Sequence, residues 1–327
     1  MYMKTNLRVC LVIACALFLN KLPAQINFFP DELVVTASVL NLRDKPDKTG
    51  KVVEKLPRGA ELSLLSLVND GEYIMVDSTY GAWLRVQHKN KSGYVFSPFV
   101  SSRYTLYQDG DILEEMTPGL NWYGVYMRDS FTDDLRSIQV HLEKEYHEVI
   151  GEEVMVLKTN QKEHSKFLVA TVSPLAQGVV SNLGLFDPGS LYITADLSPG
   201  VMMPIYPGQD MDDTTSFSTF FLAATGCAQF DTNDYVYVSD YRLYAFETMQ
   251  GGPTSRQDIT GWVQPAEGIN PRVQLVWFGD LDRDRKPDAI LQDYPNEAGG
   301  RMSLFLSSKA KTGAFLHKVS EYYFQID

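Results

Sequence analysis

The chain has 327 residues, 44% of them hydrophobic, which is enough apolar material for more than one buried core. Its formal net charge of −12 excludes the usual nucleic-acid binder, because phosphate contacts need an excess of Lys and Arg. Of three cysteines, Cys10 and Cys15 fall in the first residues and only Cys227 follows, so no disulfide framework holds the chain.

In chain order, Lys4 and Arg8 precede an apolar run over residues 9–19 that is too short to span a bilayer. Leu22-Pro23-Ala24 then offers a small residue for cleavage before Gln25. This reads as a secretion signal over residues 1–24, and the expected location is periplasmic, cell-surface or extracellular. No later stretch reaches transmembrane length, so no integral membrane segment is expected after signal removal. Val12-Ile13-Ala14-Cys15 offers a second reading, a lipoprotein. Against it, the apolar run continues through Ala16-Leu17-Phe18-Leu19, placing Cys15 in mid-segment. Removing the leader takes away Lys4, Arg8 and Lys21 and no acid, so the net charge becomes −15, a balance that favours multivalent cations. The Ala24-Gln25 ending and the tyrosine-rich chain resemble exported proteins of Bacteroidetes.

Residues 40–100 read as a small all-β unit. Val39-Leu40-Asn41-Leu42-Arg43 leads into the polar turn Asp44-Lys45-Pro46-Asp47-Lys48-Thr49-Gly50, and Lys51-Val52-Val53-Glu54-Lys55-Leu56-Pro57-Arg58-Gly59 returns. Trp83-Leu84-Arg85-Val86 and Ser92-Gly93-Tyr94-Val95-Phe96-Ser97 close it. Short β-branched and aromatic runs between Pro, Gly and Asp turns are strand signals. The order of motifs, an L-N-x-R start, a P-x-G-type turn, a W-x-x-V strand and a G-Y-V ending, resembles the bacterial SH3-type (SH3b) domain. That resemblance implies an SH3-like barrel over residues 33–103 and a binding or targeting role, often toward a cell-wall peptide or an envelope protein segment. Within it, Trp83 and Tyr94 are expected to pack, whereas Tyr73 and Phe96 are the candidate ligand-binding residues at the surface.

Residues 104–119 read as a linker carrying one short strand over 104–107, and residues 120–327 as a larger antiparallel β-domain. Alternation marks Ser137-Ile138-Gln139-Val140-His141-Leu142. Strand-like runs recur at 154–157, 167–172, 235–238, 242–246, 273–278, 289–291, 302–306 and 316–324. One helix is expected near 217–224. No fixed-period repeat occurs, which argues against a propeller or solenoid. The fold class is thus mainly β.

The segment 279–290 carries the best site-like pattern, Gly279-Asp280-Leu281-Asp282-Arg283-Asp284-Arg285-Lys286-Pro287-Asp288-Ala289-Ile290. Carboxylates at relative positions 1, 3, 5 and 9, with a main-chain carbonyl at position 7, converge when a loop winds round a hard cation. Here these are Asp280, Asp282, Asp284, the Lys286 carbonyl and Asp288. The pattern resembles the D-x-D-x-D-G-x-x-D calcium loops of FG-GAP and VCBS-type hairpins and implies a structural Ca²⁺. Position 6 departs from it, since Arg285 stands where a left-handed glycine is usual. Position 12 is Leu291, which excludes an EF-hand. The other reading is an acidic turn whose aspartates cap backbone N–H groups. Asp210-Met211-Asp212-Asp213 offers further carboxylates.

Cys227 lies in a Gly-Cys-Ala context with no base in view, which points to a small buried free thiol instead of the nucleophile of an NlpC/P60-type peptidase. On a strand, His141, Glu143, Glu145 and His147 share one face, but its ends lie about 20 Å apart, too far for one zinc ion. The function expected is non-catalytic binding at the cell envelope. Two alternatives stand beside it: an envelope hydrolase whose carboxylate pair leaves no local signature, and a structural assembly subunit held by calcium.

Overall fold

A computed structural model describes residues 32–113, 116–117, 119–129, 132–148, 151–181, 195–199, 202–205, 218–230, 236–249, 254–263, 268–269, 273–284, 286–296 and 299–325. The leader, Asp210 to Asp213 and Arg285 lie outside them. The described chain is mainly β and antiparallel throughout, as expected, with three short 3-10 turns and no α-helix. No helix among the described residues is long and apolar enough to cross a membrane.

The first unit comprises β1 (Glu32–Val35), β2 (Val39–Arg43), β3 (Val52–Pro57), β4 (Glu61–Leu67), β5 (Ile74–Val76), β6 (Thr79–Gly81), β7 (Trp83–His88), β8 (Lys91–Phe96) and β9 (Val100–Ser102). Seven of them form one sheet in the order β3-β2-β8-β7-β4-β1-β9, while β5 and β6 pair as a separate hairpin. The polar turn after β2 closes through Asp44 N–H to the Lys51 carbonyl at 3.0 Å and Thr49 N–H to Asp47 Oδ1 at 2.6 Å. Period-2 alternation puts Leu40, Leu42, Leu56, Leu84, Val86 and Val95 into a core built wholly from this unit.

The remaining strands are β10 (Tyr104–Tyr107), β11 (Asn121–Met127), β12 (Thr132–Ser137), β13 (Val140–His147), β14 (Glu152–Thr159), β15 (Phe167–Thr171) and β16 (Gly178–Ser181), then β17 (Ala195–Asp196), β18 (Met202–Ile205), β19 (Ser218–Phe230), β20 (Val236–Met249), β21 (Thr254–Asp258), β22 (Gly268–Ile269), β23 (Val273–Gly279), β24 (Asp288–Asn296), β25 (Gly299–Leu306) and β26 (His317–Gln325). They make a sheet β10-β15-β11-β12-β16, a ribbon β13-β14, a sheet β17-β23-β24-β25-β26 and a sheet β18-β19-β20-β21 with β22 on β20. The sheet containing β24 is the centre of the stack. Ile290, Met302 and Leu304 leave one face to meet Tyr123, Val125 and Phe167, while Ala289, Leu291 and Phe305 leave the other to meet Leu222, Leu243 and Ala245. The ribbon covers the far side of the β11 sheet through Trp122, Tyr126, Leu157 and Leu168. Strands covered on both faces lose polar alternation, which is why Phe167-Leu168-Val169-Ala170 is a continuous apolar run.

Three expectations change. Residues 218–224 are not helical: they belong to β19, which pairs with both β18 and β20, and ladder formation with Leu222 and Ala224 entering the core overrides local helix propensity. The run 137–142 is two strands, because Ile138 N–H bonds to the Trp122 carbonyl at 2.9 Å and its side chain enters the ribbon-side core before β13 begins. Finally, Tyr104 to Tyr107, expected inside a linker, pairs with β15 as an edge strand of the second region.

Candidate functional sites

The segment 280–287 is the turn between β23 and β24, closed by the pair Gly279 and Asp288. Leu281, fully buried, pins it to the core, and the Asp288 side chain, also fully buried, is its internal strut. Asp288 Oδ2 accepts the Leu281 N–H at 2.8 Å, and Oδ1 accepts the Ser307 N–H at 2.9 Å, just beyond β25. Asp280 Oδ1 accepts the Asp284 N–H at 3.0 Å, and Asp284 Oδ1 accepts the Lys286 N–H at 2.8 Å. The Arg283 guanidinium donates to the Gln177 carbonyl at 2.6 Å, tying the turn to the approach to β16.

Of the five expected cation ligands, the structure gathers three. Asp280, Asp282 and Asp288 each bring a carboxylate oxygen within 4.8 Å of the others. Asp284 stands beside them, with Ser307 Oγ at 3.3 Å from its Oδ1, and Lys286 is exposed on the outer turn. Ser308 Oγ donates to Asp282 Oδ2, whereas Asp282 Oδ1 is buried with no hydrogen-bond partner. Burial first, and then the Asp282 charge, push the Asp288 carboxyl well above its ordinary range, against the two backbone N–H bonds. Among the described residues of the turn, Arg283 is left-handed, with φ of 62°; Arg285, where that conformation was expected, lies outside the described residues. Ser307 and Ser308 were missed in the sequence, since nothing in the Asp spacing points to a strand end some twenty residues later.

In the first unit, Tyr73 is half-buried with its ring 5.3 Å from that of Tyr80, which is 62% exposed. Phe96 is not a surface residue. It is 5% exposed, packed against Trp83 at 5.3 Å, because it ends β8 just where Ser97 N–H bonds back to the Ala82 carbonyl and draws the chain inward. Its neighbour Phe99, 38% exposed and 6.4 Å away, takes the outer position. Gly81 connects the two aromatic groups: a Cβ there would fall 2.4 Å from the Pro98 ring, so β6 lies directly against the turn that carries Phe99. Tyr80 is the exposed aromatic here that the sequence did not single out.

Other expected features resolve simply. Cys227 is exposed, not buried, at a bulge where it faces Ser239 across the hairpin. His141, Glu143 and Glu145 lie on an exposed ribbon, with Lys158 pairing Glu145 at 3.0 Å. The Asp293 and Glu321 carboxylates, both buried, are held by cations: Arg301 Nε donates to Asp293 Oδ1 at 2.9 Å and Lys318 Nζ sits 2.6 Å from Glu321 Oε2.

Residues 38–101, running from the start of β2 into β9, match the bacterial SH3 domain family. This segment, about a fifth of the chain, is a bacterial SH3 domain. No curated protein and no solved structure matches the chain.

Proposed function

We propose that the protein is an exported binding protein of the cell envelope, in which the SH3 domain recognises a wall peptide or an envelope protein segment and the larger β-region serves as scaffold. The observation that carries this reading is two exposed aromatic rings on a domain of that family, Tyr80 with Tyr73 5.3 Å from it and Phe99 on the turn packed against β6. Tyrosine rings with an apolar body and a polar tip suit a peptide that is part polar and part aliphatic. A structural Ca²⁺ orders the 279–290 turn. Ligand oxygens around one such ion at about 2.4 Å are spread by at most ~4.8 Å, a spacing that Asp280, Asp282 and Asp288 already meet. The buried, unpartnered Asp282 Oδ1 supplies an acceptor that lacks a protein donor. Asp280, Asp282 and Asp288 would hold the ion, with Ser307 and Ser308 orienting the carboxylates.

The test is calorimetric titration of the mature protein with soluble wall stem peptides. Binding is expected to weaken at least tenfold in Tyr80→Ala with the fold intact. Absence of binding to stem peptides and to envelope extracts, or an affinity unchanged by Tyr80→Ala, refutes the assignment of this surface.

A further inference from the structure

Between β10 and β11 the chain carries a buried carboxylate that neither the aromatic surface nor the Asp-rich turn uses. Asp111 is 9% exposed. Its Oδ2 accepts the Gln108 N–H at 2.6 Å, and its Oδ1 accepts a short bond from the Tyr322 hydroxyl on β26. The backbone around it runs along the ribbon: Gly110 N–H donates to the Leu157 carbonyl at 2.9 Å, Leu157 N–H to the Asp111 carbonyl at 2.7 Å, and Leu113 N–H to the Met155 carbonyl at 2.9 Å. The Tyr107 ring lies 6.4 Å from Tyr322 and 4.9 Å from Trp122. The Asp111 side chain therefore fastens the connecting segment to the C-terminal strand, while the main chain of the same segment is bonded to the β13-β14 ribbon.

The groups that bear on Asp111 are Asp109 on its own segment, Tyr107 from β10 and Tyr322 from β26; from β14, the charge of Lys158 bears on Asp109. No lysine or arginine pairs with Asp111 among the described residues. A carboxylate buried with two neutral donors and no counter-ion favours its protonated form. Burial raises its pKa to about 6, with Asp109 adding to the rise and the Tyr322 and Gln108 bonds opposing it.

We propose that Asp111, bonded to Tyr322, is a proton-operated clasp: packing of the 108–113 segment against β26 is favoured once Asp111 takes up a proton from an acidic medium, because the neutral carboxyl removes the cost of a buried charge that outweighs the stronger Tyr322 bond to the anion. The proton adds to one carboxyl oxygen and no other covalent bond changes. The Tyr322 hydroxyl then donates to the remaining oxygen or accepts from the new O–H. Because the folded value lies above the unfolded 3.8, the stabilisation is complete below about pH 4 and is lost as pH rises through about 6. The folded state thus binds this proton on the order of a hundredfold more tightly than the unfolded chain.

The experiment follows melting temperature from pH 4 to 8 for the full mature chain, Asp111→Asn and Tyr322→Phe, with hydrogen exchange at Leu113 and Leu157 corrected for its intrinsic pH dependence. Wild type is expected to lose stability relative to Asp111→Asn over that range. In Tyr322→Phe, which removes a donor to the anion, the loss extends to higher pH. Exchange protection of Leu113 and Leu157 should follow the same course in wild type and stay flat in Asp111→Asn. Parallel melting curves for wild type and Asp111→Asn, or protection indifferent to pH, overturn the clasp. Should Asp111→Asn fail to fold, the ¹³C carboxyl shift of Asp111 in wild type decides: a midpoint near 6 supports the clasp and one near 4 removes it.

Discussion

Gly93 offers a sharp test of how the SH3 barrel closes. It lies on β8 where that strand meets β2, and a Cβ built on it would fall 2.5 Å from the Arg43 carbonyl oxygen and 2.9 Å from a Leu42 side-chain carbon. Ordinary contact begins near 3.4 Å, so the strands would have to separate by about 0.9 Å. The obstacle is backbone, and it belongs to a strand that is paired with β3 and carries the fully buried Leu42. Separation would weaken the β2-β8 pairing at Arg43 and Tyr94. Overpacking of this kind costs roughly 1–3 kcal/mol, and the lower entropy of alanine in the unfolded chain returns about 0.4–1 kcal/mol. A net loss of about 1–2 kcal/mol for Gly93→Ala follows. Gly261→Ala is the control, since a Cβ there meets nothing within 4 Å and its backbone is not left-handed. It should be neutral or stabilising by up to about 1 kcal/mol. Differential scanning calorimetry of both variants is the assay, at roughly 4–8 °C per kcal/mol if the barrel melts as a unit of its own size. A Gly93→Ala protein that melts with wild type or above it would show that β2 and β8 do not approach as described.

Millimolar Ca²⁺ should raise the melting temperature of wild type, by about 1.4 kcal/mol of stability at ten times the dissociation constant. Asp282→Ala and Asp288→Ala should abolish that gain, and a calcium response equal to wild type in both variants would leave the loop as an acidic turn. Tyr126→Phe removes a hydroxyl that is buried without a hydrogen-bond partner while keeping the ring in its core, so stability in urea should hold or rise by up to ~1–2 kcal/mol. A loss above about 1 kcal/mol would mean that the hydroxyl is satisfied in solution.

The barrel was legible in the sequence because its information is local. Leu40 and Leu42 alternate with polar residues, Asp47 and Gly50 set the turn, and the ten buried residues of its main core cluster all come from one contiguous stretch. The Asp spacing was legible for the same reason, since a turn between adjacent strands brings Asp280, Asp282 and Asp288 together without help from distant chain. Elsewhere the sequence determined that strands form but not which layer each faces. The run Phe167 to Ala170 is apolar at every position, and only the ribbon on one side and the β24 sheet on the other show why. Tyr104 to Tyr107 looked like connection because its partner, β15, lies more than sixty residues on. Phe96 and Phe99 are chemically alike, and the inward turn at Ser97 alone decides which is core and which is surface. The same holds for Ser307 beside Asp288 and Tyr322 beside Asp111. Local periodicity encodes an element's type, but the depth of a side chain, and so its proton affinity and its partners, is set by the elements that other parts of the chain lay over it.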